Sequence, residues 1–169
     1  MRFLKLVLIS ILVLFIVITF VFSLFPSHIR ISRVVNIHSS KEKIAQVISD
    51  LKTWKDWNEF FNDSSSGNSL STPSIGKGAS AASRSLRVTI LNAGKDSITT
   101  SWTPKDKQPF SGGFNIVQTD SDNVVVEWYF NFHFRWYPWE KLGSMYYDKQ
   151  LGPLMEKSLS GLKNYLENH

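Results

Sequence analysis

Residues 124–134 read VVVEWYFNFHF, and this run decides the architecture of the chain. Its even positions, Val124, Val126, Trp128, Phe130 and Phe132, are apolar, whereas Glu127, Tyr129, Asn131 and His133 alternate with them. A period of two belongs to a β-strand with one covered and one wet face, because successive side chains point to opposite sides of a sheet. Burying Trp128 or Phe130 gains about 1.5–3 kcal/mol each, while burying Glu127 without a partner costs several kcal/mol. The even set is therefore expected to face inward, which leaves an apolar sheet face that another element must cover.

The cover is found downstream. Leu151, Met155, Leu159, Leu162 and Leu166 recur at spacings of four, four, three and four, the stripe of a helix with one buried face. Leu142, Met145 and Tyr146 mark an earlier helical piece, and Gly152-Pro153 is expected to bend or briefly break the helix between the two. Upstream, Leu86, Val88 and Ile90 alternate with Arg87 and Thr89, turn residues follow from Asn92 to Asp96, and Ile98, Thr100 and Trp102 alternate again as a hairpin partner. Phe114 and Ile116 mark a further strand, set off by turns at Pro104–Pro109 and Asp120–Asn123.

Nearer the N-terminus, Ile29, Ile31, Val35 and Ile37 define a first strand over residues 28–38. Ser39 or Ser40 can cap the helix after it, whose stripe is Ile44, Val47, Ile48 and Leu51; a second short helix carries Trp54, Trp57, Phe60 and Phe61. Asn62–Pro73 is Ser-rich and reads as a mobile loop. Neither it nor the Gly76–Ala81 segment carries a pattern that fixes where the second strand begins. The order is thus a strand, two helices, a run of about five antiparallel strands and a long C-terminal helix, an α+β arrangement in one domain.

Ahead of this domain, residues 6–25 read LVLISILVLFIVITFVFSLF, twenty residues without a charge. At 1.5 Å of rise per residue they span roughly 30 Å, the hydrocarbon thickness of a bilayer. A cleaved signal would have a shorter apolar run and small residues at the cut, where this chain has Leu24 and Phe25. The expected organisation is a short basic tail at 1–5, a transmembrane helix at 6–25 and a folded domain at 26–169. Arg2 and Lys5 before the helix and Arg30 and Arg33 after it nearly balance; the short basic start favours an inside N-terminus and a domain on the extracytoplasmic side of a single-pass membrane protein.

Composition excludes several classes of function. The net charge is +5, and leaving out Arg2 and Lys5 gives 17 basic against 14 acidic residues, +3 for the domain, intermixed rather than gathered in a run. No nucleic-acid partner is expected from that distribution, whereas a mildly cationic surface suits anionic headgroups. The absence of Cys removes disulfides, thiolate nucleophiles and Cys-based zinc sites. The four His, at 28, 38, 133 and 169, lack the paired sequence spacing of a metal site, so neither metal nor cofactor is expected. Gly76-Lys77-Gly78 and Ser111-Gly112-Gly113 belong to no nucleotide-binding pattern and read as turn or bulge glycines.

Three stretches together resemble the START-like superfamily, also called SRPBCC or polyketide cyclase/dehydrase-like. Residues 31–37 (ISRVVNI) followed by 39–44 (SSKEKI) look like its opening strand and capped helix. Residues 51–58 (LKTWKDWN) resemble its Trp-bearing turn, and 148–166 look like the final helix of membrane-anchored bacterial members. The resemblance covers most of residues 29–167. It implies the helix-grip fold, a curved antiparallel sheet around a long C-terminal helix, here preceded by the transmembrane helix. It also implies a cavity between sheet and helix suited to a hydrophobic small molecule or lipid.

On that basis the expected ligand-lining residues are Trp102, Phe114, Trp128, Phe130, Met145, Tyr146, Met155 and Leu159. Trp54, Trp57, Phe60 and Phe61 read as core, or as the rim of a cavity mouth beside the Ser-rich loop. Two other functions stay open. If the polar face of strand 124–134 lined the cavity, Glu127 and His133 could transfer protons in a cyclase- or dehydratase-type enzyme. If the cavity were collapsed, the aromatic residues of 134–139 could dock a protein partner or rest at a membrane interface.

Overall fold

The computed structural model describes residues 2–23, 28–62, 69–120, 123–133 and 138–168, with the side chains of 22–23 and 138–145 left aside. Helix α1 spans Arg2–Ser23 and β1 spans His28–His38. Helix α2 (Lys41–Ser49) follows, capped by Ser40, whose side chain accepts from the Lys43 amide. Helix α3 (Trp54–Trp57) is a single turn. Six strands come next: β2 Ser69–Leu70, β3 Ser80–Ala82, β4 Leu86–Ala93, β5 Ser97–Pro104, β6 Phe110–Gln118 and β7 Asn123–His133; α4 (Pro138–Asn168) ends the described chain.

The seven strands form one antiparallel sheet in the order β1-β7-β6-β5-β4-β3-β2. The first strand therefore pairs with the last, in an eleven-residue register from His28 opposite His133 to His38 opposite Asn123. This is the helix-grip architecture: the sheet curves around α4, and α2 lies over β4, β5 and β6. Two strands went unread in the sequence. β2 and β3 are only two and three residues of Ser, Leu and Ala, too short to display a period, so Ser69 and Leu70 of the Ser-rich stretch belong to the sheet edge rather than to a loop. Residues 63–68 of that stretch lie outside the described residues.

Alternation in β7 resolves as the burial energies require. Val124, Val126, Trp128, Phe130 and Phe132 are buried, and Glu127, Tyr129, Asn131 and His133 lie on the outer face. Opposite them α4 buries Met155, Leu159, Leu162 and Leu166. Close approach between α4 and the turn after α3 depends on Gly161, where a Cβ would stand 2.6 Å from the Trp57 carbonyl oxygen. Ser158 Oγ accepts from the Glu59 amide at 3.0 Å, and Lys157 pairs with the Glu59 carboxylate at 3.0 Å, so the same turn is held on both sides.

Two glycine expectations are corrected. Gly152-Pro153 does not interrupt α4, which runs continuously through Pro153. Gly152 instead leaves room for Arg33, whose guanidinium would overlap any Cβ there. Gly112 and Gly113 sit within β6 rather than at a turn or bulge, opposite Phe130 and Tyr129 of β7. Those rings fold across them; a Cβ would come 2.7 Å from the Phe130 ring at Gly112 and 2.9 Å from the Tyr129 hydroxyl at Gly113. Gly76 and Gly78, with φ of +76° and +86°, are turn glycines as read.

Candidate functional site

Aromatic rings fill the space between the sheet and the helices. Trp128 stacks on Phe114 at 5.1 Å, Trp102 meets Phe130 edge-on at 5.1 Å, and Trp54 of α3 stacks on Trp102 at 5.7 Å. Phe60 packs edge-on against Trp102, Trp128 and Phe130. The Trp102 indole donates to Thr100 Oγ1 at 2.8 Å, which explains a buried Thr on the inner face of β5. The Trp128 indole nitrogen, also buried, has no such partner.

Beyond this aromatic plug a cleft of about 550 Å³ remains at one end of the sheet. Its apolar lining comes from Phe60, Leu86, Trp102, Phe110, Phe130, Phe132, Tyr147 and Leu151. The strand ends meet here: Leu86 begins β4, Pro104 ends β5, Phe110 begins β6 and His133 ends β7. Tyr147, Gln150 and Leu151 of α4 form the facing wall, with the Tyr147 ring 5.2 Å from that of Phe132. Lys107, Gln108, Ser111, Asn131, His133 and Gln150 are the polar residues at its border.

Of the residues expected to line a cavity, Trp102 and Phe130 border the cleft. Phe114, Trp128, Met155 and Leu159 are packed core away from it, with 0–2% of their surface exposed. Tyr146 is 62% exposed on the other side of α4, and its neighbour Tyr147 takes the lining position; a one-residue step on a helix turns a side chain by about 100°. The Met145 side chain, the residues 134–137 and the Trp139 side chain lie outside the described residues. Phe60, anticipated at a cavity rim, is a lining residue, while Trp54, Trp57 and Phe61 are core. Phe110, Tyr147 and Leu151 were not singled out as lining residues, although the turn after Pro104 and the helical period did place them at an element end and on a helix.

Glu127 and His133 do not share the cleft. Glu127 accepts from both Arg30 Nη2 and Asn115 Nδ2, at 3.0 and 2.8 Å, and Arg30 lies 3.8 Å above the Tyr129 ring. Burial by itself pushes the Glu127 carboxyl up, but the hydrogen bonds from Asn115 and Arg30 outweigh it and hold the group below the usual carboxylate range. A carboxylate so occupied on the outer face is a bridge between β1, β7 and β6. His133 stands at the cleft rim, six residues and roughly 20 Å further along the strand. There its Nδ1 lies 3.2 Å from Nδ1 of His28, a pairing across 105 residues that sequence spacing could not reveal. Among the described residues, no group of three or more His, Asp or Glu is arranged to hold a metal ion.

No protein-family model matches the chain, and a comparison with curated proteins finds no match. Solved structures do match in fold. DynU16, a protein of the dynemicin biosynthetic locus, superposes with a TM-score of 0.59 at 13% identity over 82% of this chain, which spans about half of DynU16 (47%). CalU16 from Micromonospora echinospora gives 0.56 at 12% identity, over 82% of this chain and 81% of its own. A START superfamily protein from Mycobacterium smegmatis gives 0.59 at 16% identity, over 82% and 97%. The fold is the START-like helix-grip fold.

Proposed function

We propose that this START-like domain is tethered to a membrane by α1 and binds a hydrophobic small molecule or lipid in the cleft between the sheet end and α4. The observation that carries the reading is the cleft itself: eight apolar or aromatic side chains around about 550 Å³ between the sheet end and α4. That volume falls within the usual range of small-molecule sites, and a mostly apolar lining with a few polar groups at the rim is their usual chemistry. Tethering is supported by α1, whose apolar span Arg2–Val21 reaches a mean hydropathy of 3.0 and contains no buried residue. Arg2 and Lys5 at its N-terminal end favour a domain on the extracytoplasmic side.

Binding is favoured over proton-transfer catalysis because Glu127 is hydrogen-bonded on the outer face and His133 touches only the rim. The test is native mass spectrometry of the full chain, extracted with its surrounding lipid from its own host and compared before and after unfolding. A reproducible extra mass lost on unfolding is the expected result. A folded chain that carries no extra mass under those conditions contradicts the reading.

A further inference from the structure

We infer that the cleft's occupant is a single-chain anionic amphiphile taken from the bilayer that α1 crosses, with its headgroup at Lys107. The inference rests on the binding reading above and narrows it. Its first support is the chemistry of the rim. Lys107 brings an ammonium and Gln108 an amide donor, while no Asp or Glu occurs among the described residues that line the cleft; the Asn131 side chain lies on the outer face of β7 and the Gln150 amide donates to the Tyr146 hydroxyl. In a chain with 14 acidic residues, a rim of donors without a carboxylate suits a carboxylate or phosphate headgroup and leaves a neutral one without its charge partner. Asp106, next to Lys107, sits in the left-handed region at φ 63° and is not part of the lining.

The second support is position. His28, where β1 begins, pairs with His133 at the cleft rim, so the chain enters the domain at the end of the sheet where the cleft opens. Only four residues, 24–27, lie between Ser23, the end of α1, and His28, five residue steps in all. Fully extended, five residues reach at most about 18 Å. A cleft mouth held that close to the end of a membrane-spanning segment draws on the amphiphiles of the leaflet beside it. Size supplies the third support: about 550 Å³ is room for one small ligand, and it opens onto aromatic rings that accept a hydrocarbon chain.

The test uses the full chain in phosphatidylcholine nanodiscs at pH 8, with trace diazirine-bearing stearic acid or the corresponding stearyl alcohol. After photolysis, labelled peptides are mapped by mass spectrometry in the wild type and in Lys107→Ala. The acid is expected to label peptides containing Phe110, Phe132 or Leu151 about tenfold more than the alcohol, and Lys107→Ala to bring the acid down to the level of the alcohol. Equal labelling by acid and alcohol, unchanged in Lys107→Ala, overturns the anionic assignment and leaves the apolar binding site standing. Labelling confined to α1, with no cleft peptide modified by either probe, overturns both this inference and the binding reading beneath it.

Discussion

Arg33 crosses α4 at Gly152. Its Nη2 bonds Asp148 at 3.0 Å and its Nε bonds Glu156 at 2.6 Å, four residues to either side of the glycine whose missing Cβ lets the guanidinium through. Desolvation works against the charge of Arg33, but its hydrogen bonds to Glu156 and Asp148 raise its affinity for the proton above its ordinary value. Both carboxylates are more than half exposed, so each ion pair alone contributes little. The consequence is geometric: one arginine fixes the height of α4 on β1, next to Tyr147 and Leu151 of the cleft wall.

Gly152→Ala places a methyl group where the guanidinium now lies. Overpacking of this kind costs about 1–3 kcal/mol, despite alanine's better helix propensity. Chemical denaturation is expected to give a lower midpoint with an unchanged slope, and Arg33→Ala added to Gly152→Ala should recover part of the loss. A Gly152→Ala variant as stable as the wild type would mean that Arg33 does not occupy this notch in solution.

Glu127 should carry part of the stability at neutral pH. Its proton affinity is lower in the folded chain than in the unfolded one, so the unfolded state binds more protons as pH falls. The stabilisation is present above the unfolded carboxylate range and is lost as pH falls through the folded value. Glu127→Gln is expected to be less stable than the wild type at pH 7 and to converge with it in acid. A constant gap between the two from pH 7 to pH 3 would contradict this, and an unchanged ligand load in Glu127→Gln follows from its place on the outer face.

The elements read from sequence are those with a period long enough to repeat. β7 shows five apolar residues in alternation and α4 a five-residue stripe, and each lies where its pattern required. Short or interrupted elements were missed or clipped: β2 and β3 have no room for a period, and β6 is legible only from Phe114 and Ile116, because Gly112 and Gly113 in its first half make space for rings that belong to β7. The site was less legible for a related reason. Inward-facing aromatics such as Trp128 and Phe130 have the same sequence signature whether they line a cleft or plug the core. Which of them meets open space depends on where the turn after α3 places Phe60. The His28–His133 contact follows from the pairing of first and last strands, a tertiary fact.

Trp128 separates these roles. It is wholly buried against Phe114, Phe60 and Trp102 and does not border the cleft. Trp128→Ala is therefore expected to cost about 3–5 kcal/mol of stability through the cavity it leaves. Trp128→Phe removes the unpartnered indole donor and should be much milder, with the ligand load per folded molecule unchanged. Loss of ligand from a folded Trp128→Phe variant would move Trp128 into the binding site.

Leu151 gives the most direct test of the central claim, because it is half-buried on the cleft wall and its side chain can grow into the opening. Full-length wild type and Leu151→Trp, prepared in parallel from the same host, would be compared by native mass spectrometry, with thermal denaturation confirming that both are folded. The account predicts that the wild type carries a ligand and that a folded Leu151→Trp carries at most about a tenth as much. Equal ligand on both proteins, or none on either, would contradict it.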